Sequence, residues 1–491
     1  MLSVFLGNVA CLNRVFADPA NLNHTSTQAP GTTMLVSLQT LPSRSLRALL
    51  IAPLAAVALG LVSISEVKAS TSDALRLPNR ARPAAPFGSD LQESPKAVLD
   101  EAWQIVNWEY VDTRFNRIDW LATRQRLLSR DYVSREAAYS ALRDALRQLN
   151  DPYTRFLSPT EYSDLTDQTA GEVSGIGVQV QRQDNRVVIT AITPGSPAEQ
   201  AGLAVGDHLV MVDGQSTTHM TVEGVSQRLR GAENSQVTLS IGRNGGNPRS
   251  VIVARARMEM PAVDYARRMV GGRSIGYIRL TEFNAHAAEQ MERAILALTA
   301  EGVEGFVLDL RGNPGGLLLS SIDIGRMWLQ HGPIVRTVYR DGTAESLSAN
   351  RTALTQLPLT VLVDRRSASS SEILTGALQD NRRATVVGTP TFGKALVQTL
   401  HRLADGSGLT VTVAHYFTPN GTDISRKGIT PDVVAELNER QRSELFANPS
   451  RLGTETDPQF VRATEVLEQT IIARQSHQGP RQLGQVQPTE P

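Results

Sequence analysis

A cluster of serines follows a short apolar stretch in the second half of the chain. Ser367, Ser369, Ser370 and Ser371 come directly after residues 359–363, which predict a buried strand, and a helical pattern follows them. The first turn of a helix presents backbone N–H groups without intrahelical partners, and such groups can stabilise a developing oxyanion. A serine at this junction is placed to act as a nucleophile, provided that a neighbouring base accepts its proton.

Two kinds of general base are available to such a serine. His401 and His415 lie on alternating segments that predict strands, so a Ser-His arrangement stays open. The other candidate is Lys394, which follows the apolar stretch 384–388 and stands in an otherwise uncharged loop. A lysine accepts a proton only when burial keeps it neutral, and a solvated loop lysine is the alternative interpretation. The residues alone leave the choice of base open.

The loop that holds Lys394 also fits a phosphate-binding pattern. Residues 388–394 have the G-x-x-x-x-G-K spacing, but Ala395 stands where a magnesium-binding serine or threonine is needed. The next residues predict a strand rather than a helix, so nucleotide binding is disfavoured. Because the chain also lacks the H-E-x-x-H pattern of zinc peptidases, we expect no metal and no cofactor.

The elements around these residues predict an α/β domain. Apolar stretches and helical periodicity alternate, with a Gly-rich turn, Arg311-Gly312-Asn313-Pro314-Gly315-Gly316, between one strand and the next helix. The predicted strands are 274–280, 305–310, 359–363, 384–388 and 409–417, and the predicted helices are 287–300, 317–328 and the helix that follows the serines through Leu378.

Residues 171–258 predict a separate small β domain. A Gly-rich loop leads into alternating apolar residues, then a PGSPAE turn, and then a strand between Gly206-Asp207 and Asp213-Gly214. This order resembles a PDZ domain, in which loop N–H groups hold a peptide carboxylate and a strand edge pairs with the peptide backbone. The carboxylate-binding residues would be Gly175, Ile176, Gly177 and Val178. A β domain with glycine turns and no such role is the alternative.

The N-terminus predicts export. Arg44 and Arg47 precede an uncharged stretch, and Val67-Lys68-Ala69 offers a small-x-small cleavage site, as in signal peptides. A membrane anchor at 46–65 stays open, because the uncharged stretch is near the lower length limit for a bilayer span. Met34 is an alternative start. The expected location is a thylakoid lumen or a periplasm.

Composition and the remaining segments complete the predicted organisation. Lys+Arg and Asp+Glu are both 49, so the chain lacks the positive charge typical of nucleic-acid binders. The single cysteine, Cys11, excludes an internal disulfide. Trp108, Trp120 and Tyr153 are interpreted as apolar core rather than as a ligand site. The predicted parts are an extension with signal peptide at 1–69, a linker at 70–95, a helical domain at 96–170, the PDZ domain at 171–258, an α/β core at 259–445 and a tail at 446–491 with a short helix at 461–473 followed by disorder.

The α/β region resembles the C-terminal processing peptidases, also called tail-specific proteases. The matching stretches are DLRGNPGG at 309–316, the serine cluster with Glu372, QDNRRA at 379–384 and VGTPTFGKALVQ at 387–398. With the helical and PDZ segments the likeness spans 97–440, and its details are most similar to the photosynthetic branch found in cyanobacteria and chloroplasts. The resemblance implies a multidomain α/β fold whose protease core is of the ClpP/crotonase-like type.

The resemblance also implies roles for individual residues. It makes Ser369 the nucleophile, Lys394 the base and Gln398 the residue that orients the lysine. The other implied residues are the supporting polar side chains Glu372 and Asp380 and the oxyanion-hole residues Gly315, Gly316 and Ser370. Three positions depart from the family pattern: Arg366 and Ala395 replace glycine, and Ser370 replaces alanine. Ala395 would change the loop geometry if its position required a positive φ.

The implied function is that of an exported serine endopeptidase. It would bind the free C-terminus of a protein substrate through the PDZ domain and remove a C-terminal segment through an acyl-enzyme. The photosynthetic branch implies a photosystem II reaction-centre precursor as substrate, which adds a membrane-associated protein to the expected partners. The alternatives are a general quality-control protease, a PDZ protease with a Ser-His-Asp site and a non-catalytic PDZ scaffold. We expect no nucleic-acid partner, and a monomer is favoured.

Overall fold

The computed structural model describes residues 94–243 and 245–477, which lie in one compact unit. The predicted signal peptide or anchor, the cleavage site at Ala69 and the end of the tail fall outside these residues. Within the described ranges, no helix combines the length and the apolar character that a membrane crossing needs.

Four helices open the described chain. Each begins at a serine or aspartate whose side chain accepts a hydrogen bond from a backbone N–H of the first turn, which satisfies donors that have no intrahelical partner. The elements are α1 (Pro95–Glu109), α2 (Trp120–Ser129), α3 (Arg135–Arg147), β1 (Arg155–Leu157) and α4 (Pro159–Ala170). The buried faces of α1 and α3 share one apolar cluster with Leu409 and Val411 of β18 (Gly408–Phe417), so this helical layer is packed directly on a later strand.

A small β domain follows the helices. A two-stranded antiparallel ribbon carries the chain into and out of it. The ribbon strands are β2 (Glu172–Gly175) and β9 (Ala256–Glu259), and the domain contains β3 (Val178–Gln183), β4 (Arg186–Ile192), α5 (Pro197–Gln200), β5 (His208–Val212), β6 (Gln215–Ser216), α6 (Val222–Leu229), β7 (Gln236–Gly242) and β8 (Arg249–Ala254). The sheet order is β3-β4-β5-β7-β8, so β3 is an edge strand, and α6 packs beside it.

The largest sheet has six strands in the order β10-β11-β12-β15-β16-β19. They are β10 (Val263–Val270), β11 (Arg273–Leu280), β12 (Gly305–Asp309), β15 (Leu359–Val363), β16 (Thr385–Gly388) and β19 (Val433–Val434). Neighbours from β11 to β19 are parallel, whereas β10 is antiparallel to β11. Because parallel strands end at the same edge of a sheet, the loops after β12, β15 and β16 meet there.

Helices cover both faces of this sheet, as the continuous apolar strands predict. On one face, Phe306 and Leu308 pack with α7 (Ala287–Ala300), α8 (Leu318–Trp328) and α9 (Ser370–Asp380). On the other, Val307 packs with the C-terminal helix α11 (Pro458–His477).

A second sheet has the strand order β1-β18-β13-β14, with β17 also paired to β18. Its further strands are β13 (Pro333–Tyr339), β14 (Ala344–Ser348) and β17 (Leu396–Arg402). Through β1 and β18 this sheet joins the N-terminal layer to the α/β domain.

The C-terminal region differs from the predicted tail. α10 (Glu439–Ala447) and α11 belong to the folded unit, and α11 is longer than the predicted helix 461–473. Phe460, Ala463 and Leu467 recur at three-to-four spacing and are buried against the large sheet. The apolar stripe is present in the sequence, but the sequence does not show that one face of the large sheet needs this helix to cover it.

Candidate active site

The serine cluster lies where β15 turns into α9. Ser369 is the residue before the helix, and its backbone has φ 54° and ψ −115°, a combination that residues with a side chain rarely adopt. The position lies at the carboxyl edge of the parallel strands, beside the Gly-rich turn that follows β12. A strained residue between a strand and a helix presents its side chain outward, as a nucleophile requires.

The hydroxyl groups of the four serines differ in their hydrogen bonds. Ser367 Oγ donates to Leu310 O, Ser370 Oγ to Gly316 O and Ser371 Oγ to Asn313 O. The Ser369 hydroxyl donates to no group in the described part of the chain. Three serines therefore fasten the turn to the Gly-rich loop, and Ser369 keeps a proton available for transfer.

The Gly-rich loop supplies candidate oxyanion donors. The Gly315 N–H is engaged, because it donates to Asn313 Oδ1 at 2.9 Å. The N–H groups of Gly316 and Ser370 have no hydrogen-bond acceptor in the part of the chain that the structure describes. At Gly315 a Cβ would lie 2.8 Å from Ser369 Cβ and 3.0 Å from Ser370 N, so only glycine allows the loop to approach the turn this closely. Of the predicted trio, Gly316 and Ser370 have free donors.

Lys394 is buried beside the same turn. Burial lowers the pKa of Lys394 to about 8, against an ordinary value of 10.5, while the nearby Asp151 carboxylate acts in the opposite direction. The Lys394 Nζ lies 4.5 Å from the centre of the Tyr153 ring, a cation–π contact that favours the charged amine. Nζ forms no hydrogen bond with Ser369 in this structure, so the lysine amine contacts the Tyr153 ring rather than the serine.

Glu372 holds the two candidate catalytic residues together. Its Oε2 accepts from the backbone N–H groups of Ser369 and Lys394, each at 2.9 Å. Its Oε1 accepts from Gly393 N at 2.6 Å and Thr391 Oγ1 at 2.5 Å. Burial raises the pKa of Glu372 in spite of these four donors. One carboxylate thereby connects the nucleophile turn to the lysine loop.

A tyrosine makes a second bridge between the same two residues. The buried Tyr416 hydroxyl, on β18, lies within hydrogen-bond distance of the Ser369 carbonyl at 3.2 Å and of the Lys394 carbonyl. The hydroxyl has one proton, so it donates to one carbonyl at a time. Ser369 and Lys394 are thus fixed relative to each other through backbone groups on both sides.

Two predicted supporting residues are placed differently. Gln398 Nε2 is buried without a hydrogen-bond partner, and in the described residues no hydrogen bond joins the Gln398 side chain to the Lys394 amine. Lys394 lies before the start of β17 at Leu396, so the alternation of that strand does not place the two side chains on one face. Asp380 lies at the other end of α9, about 15 Å from Ser370 along the helix axis, where it accepts from Asn420 N.

The alternative chemistries find less support at this site. His401 Nε2 is 2.7 Å from Glu109 Oε2 and 3.0 Å from Thr399 Oγ1, and His415 is exposed on β18. The backbone donors of the G-x-x-x-x-G-K loop, at Gly393 and Lys394, are occupied by Glu372 rather than free for a phosphate. Within the described ranges, no three His, Cys, Asp or Glu side chains converge as a metal site would require.

The departures from the family pattern leave this geometry intact. Ala395 is absent from the residues with positive φ, so its methyl group introduces no strain. Ser370 adds a hydroxyl that bonds to the Gly-rich loop. Arg366 lies beside Gly312, with Nη2 3.5 Å from the position that a Cβ there would take.

The β domain presents the features predicted for a peptide site. Between β2 and β3, the N–H groups of Ile176 and Gly177 have no acceptor in the described part of the chain. A Cβ at Gly177 would lie 2.3 Å from Ser196 Cβ, and the φ of 82° also requires glycine. Gly175 ends β2 and Val178 begins β3, so the loop opens directly onto the edge strand.

Sequence reasoning missed the residues that the N-terminal layer contributes. Tyr153 was interpreted as core, yet its ring contacts the lysine amine, and Asp151 influences the charge of Lys394. Of the two tryptophans that were interpreted as core, Trp120 is buried as expected, whereas the side chain of Trp108 is 71% exposed. The only signal for Tyr153 was its position in the Asp-Pro-Tyr-Thr-Arg segment after α3, which is too short to predict a contact some 240 residues away.

Comparison with known proteins agrees with this arrangement. Residues 274–435 match peptidase family S41, and residues 188–243 match a PDZ domain. A carboxyl-terminal-processing protease of Synechocystis sp. is 43% identical over 348 residues, which cover 70% of this chain and 81% of that protein. The chloroplastic C-terminal processing peptidase of Tetradesmus obliquus is 36% identical over 367 residues, covering 71% and 79%.

Among solved structures, a photosystem II D1 C-terminal processing protease is 35% identical to this chain. The alignment covers 75% of this chain and 99% of that protein, with a TM-score of 0.48. The predicted PDZ domain, α/β protease core and peptidase activity are confirmed by the family matches and the curated relatives. The chain belongs to the carboxyl-terminal-processing serine proteases of peptidase family S41.

Proposed function

We propose that this peptidase is exported, binds the free C-terminus of a protein through its PDZ domain, and cleaves upstream with a Ser369–Lys394 pair. The observation that carries the mechanism is the Glu372 carboxylate, which bonds to the backbone of both residues at 2.9 Å. This contact brings together a hydroxyl with a free proton and an amine whose pKa burial has lowered to about 8.

The chemical steps follow from these groups. Neutral Lys394 accepts the Ser369 proton as Oγ attacks the substrate carbonyl, and the resulting ammonium then protonates the leaving amine. The oxyanion of the tetrahedral intermediate is stabilised by the N–H groups of Gly316 and Ser370. Water hydrolyses the acyl-enzyme, with Lys394 again as the base. For the first step, the Lys394 amine moves from the Tyr153 ring to Ser369.

Substrate selection is assigned to the PDZ domain. A carboxylate in the loop between β2 and β3 accepts from Ile176 and Gly177, whose N–H groups are free, and the peptide adds as a strand to the unpaired side of β3. Anchoring the chain end leaves the upstream residues to reach the catalytic serine. A free α-carboxylate is therefore the chemical feature that marks a substrate.

The origin of the relatives supports a photosynthetic role. The cyanobacterial and chloroplastic processing proteases favour the thylakoid lumen or periplasm as location and a photosystem II reaction-centre precursor as substrate. A general tail-specific protease would use the same site without that preference. Cleavage rates on a reaction-centre tail peptide and on unrelated apolar tails of equal length distinguish the two.

The test of the mechanism uses one peptide in two forms, with a free and an amidated C-terminus, and mass spectrometry of the products. We expect cleavage of the free form only, unaffected by EDTA. Ser369→Ala and Lys394→Arg should both be inactive, because Arg cannot lose its proton at these pH values. The matched controls Ser371→Ala and His401→Ala should retain substantial activity. An active Lys394→Arg enzyme would exclude the lysine base, and peptide binding without cleavage by the native chain would favour the scaffold alternative.

A further inference from the structure

A buried cluster of charges lies beneath the Gly-rich loop and includes a residue beyond the span matched to the peptidase family. Arg311, directly before Gly312, has a side chain that is 7% exposed, between two carboxylates, Asp309 and Asp457, that are fully buried. Asp457 lies immediately before α11, 22 positions after the last matched residue, 435. Nothing in the proposed mechanism uses this cluster.

All five N–H groups of the Arg311 guanidinium are occupied. Asp309 accepts from Nε at 2.9 Å and from Nη2 at 2.6 Å. Asp457 accepts from Nη1 at 3.0 Å and from Nη2 at 2.6 Å. The fifth N–H donates from Nη1 to Gln459 Oε1 at 3.0 Å. The guanidinium is therefore fixed in position and orientation by ligands from a strand on one side and from the start of α11 on the other.

The two carboxylates are themselves held in place. Asp309 also accepts from the Tyr277 hydroxyl at 2.7 Å, and Asp457 accepts from Gly453 N at 3.2 Å. Burial acts to raise the pKa of Asp309, but the charge and hydrogen bonds of Arg311, with those of Arg279 and Tyr277, lower it overall, and the pKa of Arg311 is raised well above its ordinary value. Burying such charges gives little net stability compared with apolar packing, so a role beyond stability is worth testing.

The loop that starts at Arg311 leads straight to the catalytic turn. Asn313 donates from Nδ2 to Leu280 O and accepts at Oδ1 from Gly315 N, both at 2.9 Å. Its carbonyl accepts from Ala368 N at 3.1 Å and from Ser371 Oγ at 3.0 Å. Arg311 thus anchors the beginning of a short loop that is bonded, through Asn313, to Ala368 and Ser371, which flank Ser369.

We propose that Asp457 is a positioning residue for the oxyanion hole. By holding the Nη1–Nη2 edge of the Arg311 guanidinium, next to the Nε–Nη2 edge that Asp309 holds, it sets the position of the loop that carries the Gly316 N–H. The inference rests on the proposed function, since it assigns Gly316 as an oxyanion donor. Oxyanion stabilisation depends on donor positions within a few tenths of an ångström, so a displaced Arg311 should slow the chemical step while leaving substrate binding unchanged.

The experiment compares Asp457→Asn with Leu467→Ala. Leu467 is a fully buried side chain of the same helix that packs on the sheet, about 14 Å along the helix axis from Pro458 at its start, so its truncation loosens α11 away from the residues that bind the Arg311 guanidinium. Each variant is assayed on the C-terminally free peptide, well below its melting temperature, for kcat and KM. The inhibition constant of a peptide aldehyde of the same sequence is also measured, because its tetrahedral adduct uses the oxyanion donors.

Asp457→Asn should lower kcat about tenfold or more and keep KM within about twofold of the native value. It should also raise the inhibition constant of the peptide aldehyde by a factor similar to the loss of kcat. Leu467→Ala should keep kcat within about twofold even though its melting temperature falls. If Asp457→Asn does not fold, Gln459→Leu removes one of the five Arg311 acceptors and should give a smaller change in the same direction. Native kcat in a folded Asp457→Asn enzyme, or an equal loss of kcat in Leu467→Ala, would overturn the proposal.

The outcome is separable from that of the proposed function. An inactive Ser369→Ala enzyme together with a fully active Asp457→Asn enzyme removes only the positioning role. An active Ser369→Ala enzyme removes the mechanism on which the role depends.

Discussion

The charge on Lys394 should control the pH dependence of cleavage, and Asp151→Asn should shift it. The Lys394 amine is buried and lies 4.5 Å from the Tyr153 ring centre. Burial lowers its pKa to about 8, and the Asp151 carboxylate is the strongest charge acting in the opposite direction. Replacing that carboxylate by an amide should lower the pKa further and make more of the enzyme active at neutral pH.

The magnitude follows from the fraction of neutral lysine. With a pKa of about 8, roughly one molecule in ten has a neutral Lys394 at pH 7 and about nine in ten at pH 9. An ordinary lysine would be neutral in only about three molecules in ten thousand at pH 7. The rate should therefore rise about tenfold from pH 6 to pH 7 and level off above about pH 9. If Asp151→Asn lowers the pKa by about half a unit, the rate at pH 7 rises about threefold while the plateau is unchanged.

The assay is kcat/KM on one C-terminally free peptide between pH 6 and pH 10. The substituted amide keeps an oxygen that can accept from Tyr153 N, as Asp151 Oδ1 does at 3.0 Å, so the loop should stay in place. Asp131→Asn is the matched control, because Asp131 is an exposed carboxylate of the same helical layer that pairs with Lys96. A flat profile between pH 7 and pH 9, or a kinetic pKa that rises in Asp151→Asn, would refute the reasoning.

Two further predictions concern stability. Lys394→Met should be inactive and more stable: the folded-state pKa is about 8 against 10.5, so the buried charge costs about 3 kcal/mol below pH 8. The gain in unfolding free energy should shrink as pH rises from 8 to 10.5, because the folded-state lysine is then neutral and the cost of removing the proton from the unfolded-state lysine falls; a gain independent of pH would point to packing instead. Ser369→Gly should exceed Ser369→Ala in stability by about 1 kcal/mol or more, since glycine relieves the φ of 54° that alanine keeps. Urea unfolding measures both, and an alanine variant as stable as the glycine variant would show that the turn is not strained.

The sequence was sufficient for the elements whose pattern is local. Helix Ala287–Ala300 and strand Leu359–Val363 have the predicted bounds. An amphipathic pattern indicates a helix buried on one face, and a continuous apolar pattern indicates a strand buried on both faces. The strands Pro333–Tyr339 and Ala344–Ser348 were not predicted. They form a hairpin in the second sheet, in which β14 pairs with β13 and β13 pairs with β18, a strand that follows some 70 residues later.

The sequence singled out candidate residues for the site but not their contacts. The resemblance to the processing peptidases implied roles for Ser369, Lys394 and Glu372, but it did not indicate that Glu372 bonds to the backbone of the other two. Tyr153 and its neighbours enter the lysine pocket only through the pairing of β1 with β18, which no local pattern encodes.

The contacts of Glu372 bear on how the proposed lysine base can stay neutral. A carboxylate beside an amine normally raises the amine pKa and would defeat a lysine base. Here the Glu372 oxygens are occupied by three backbone N–H groups and the Thr391 hydroxyl, so the carboxylate bonds to the loop that carries the amine and not to the amine itself. Its influence on Lys394 ranks last among the causes of the shift, and burial ranks first. The loop is thereby anchored by a negative charge whose effect on the base stays small.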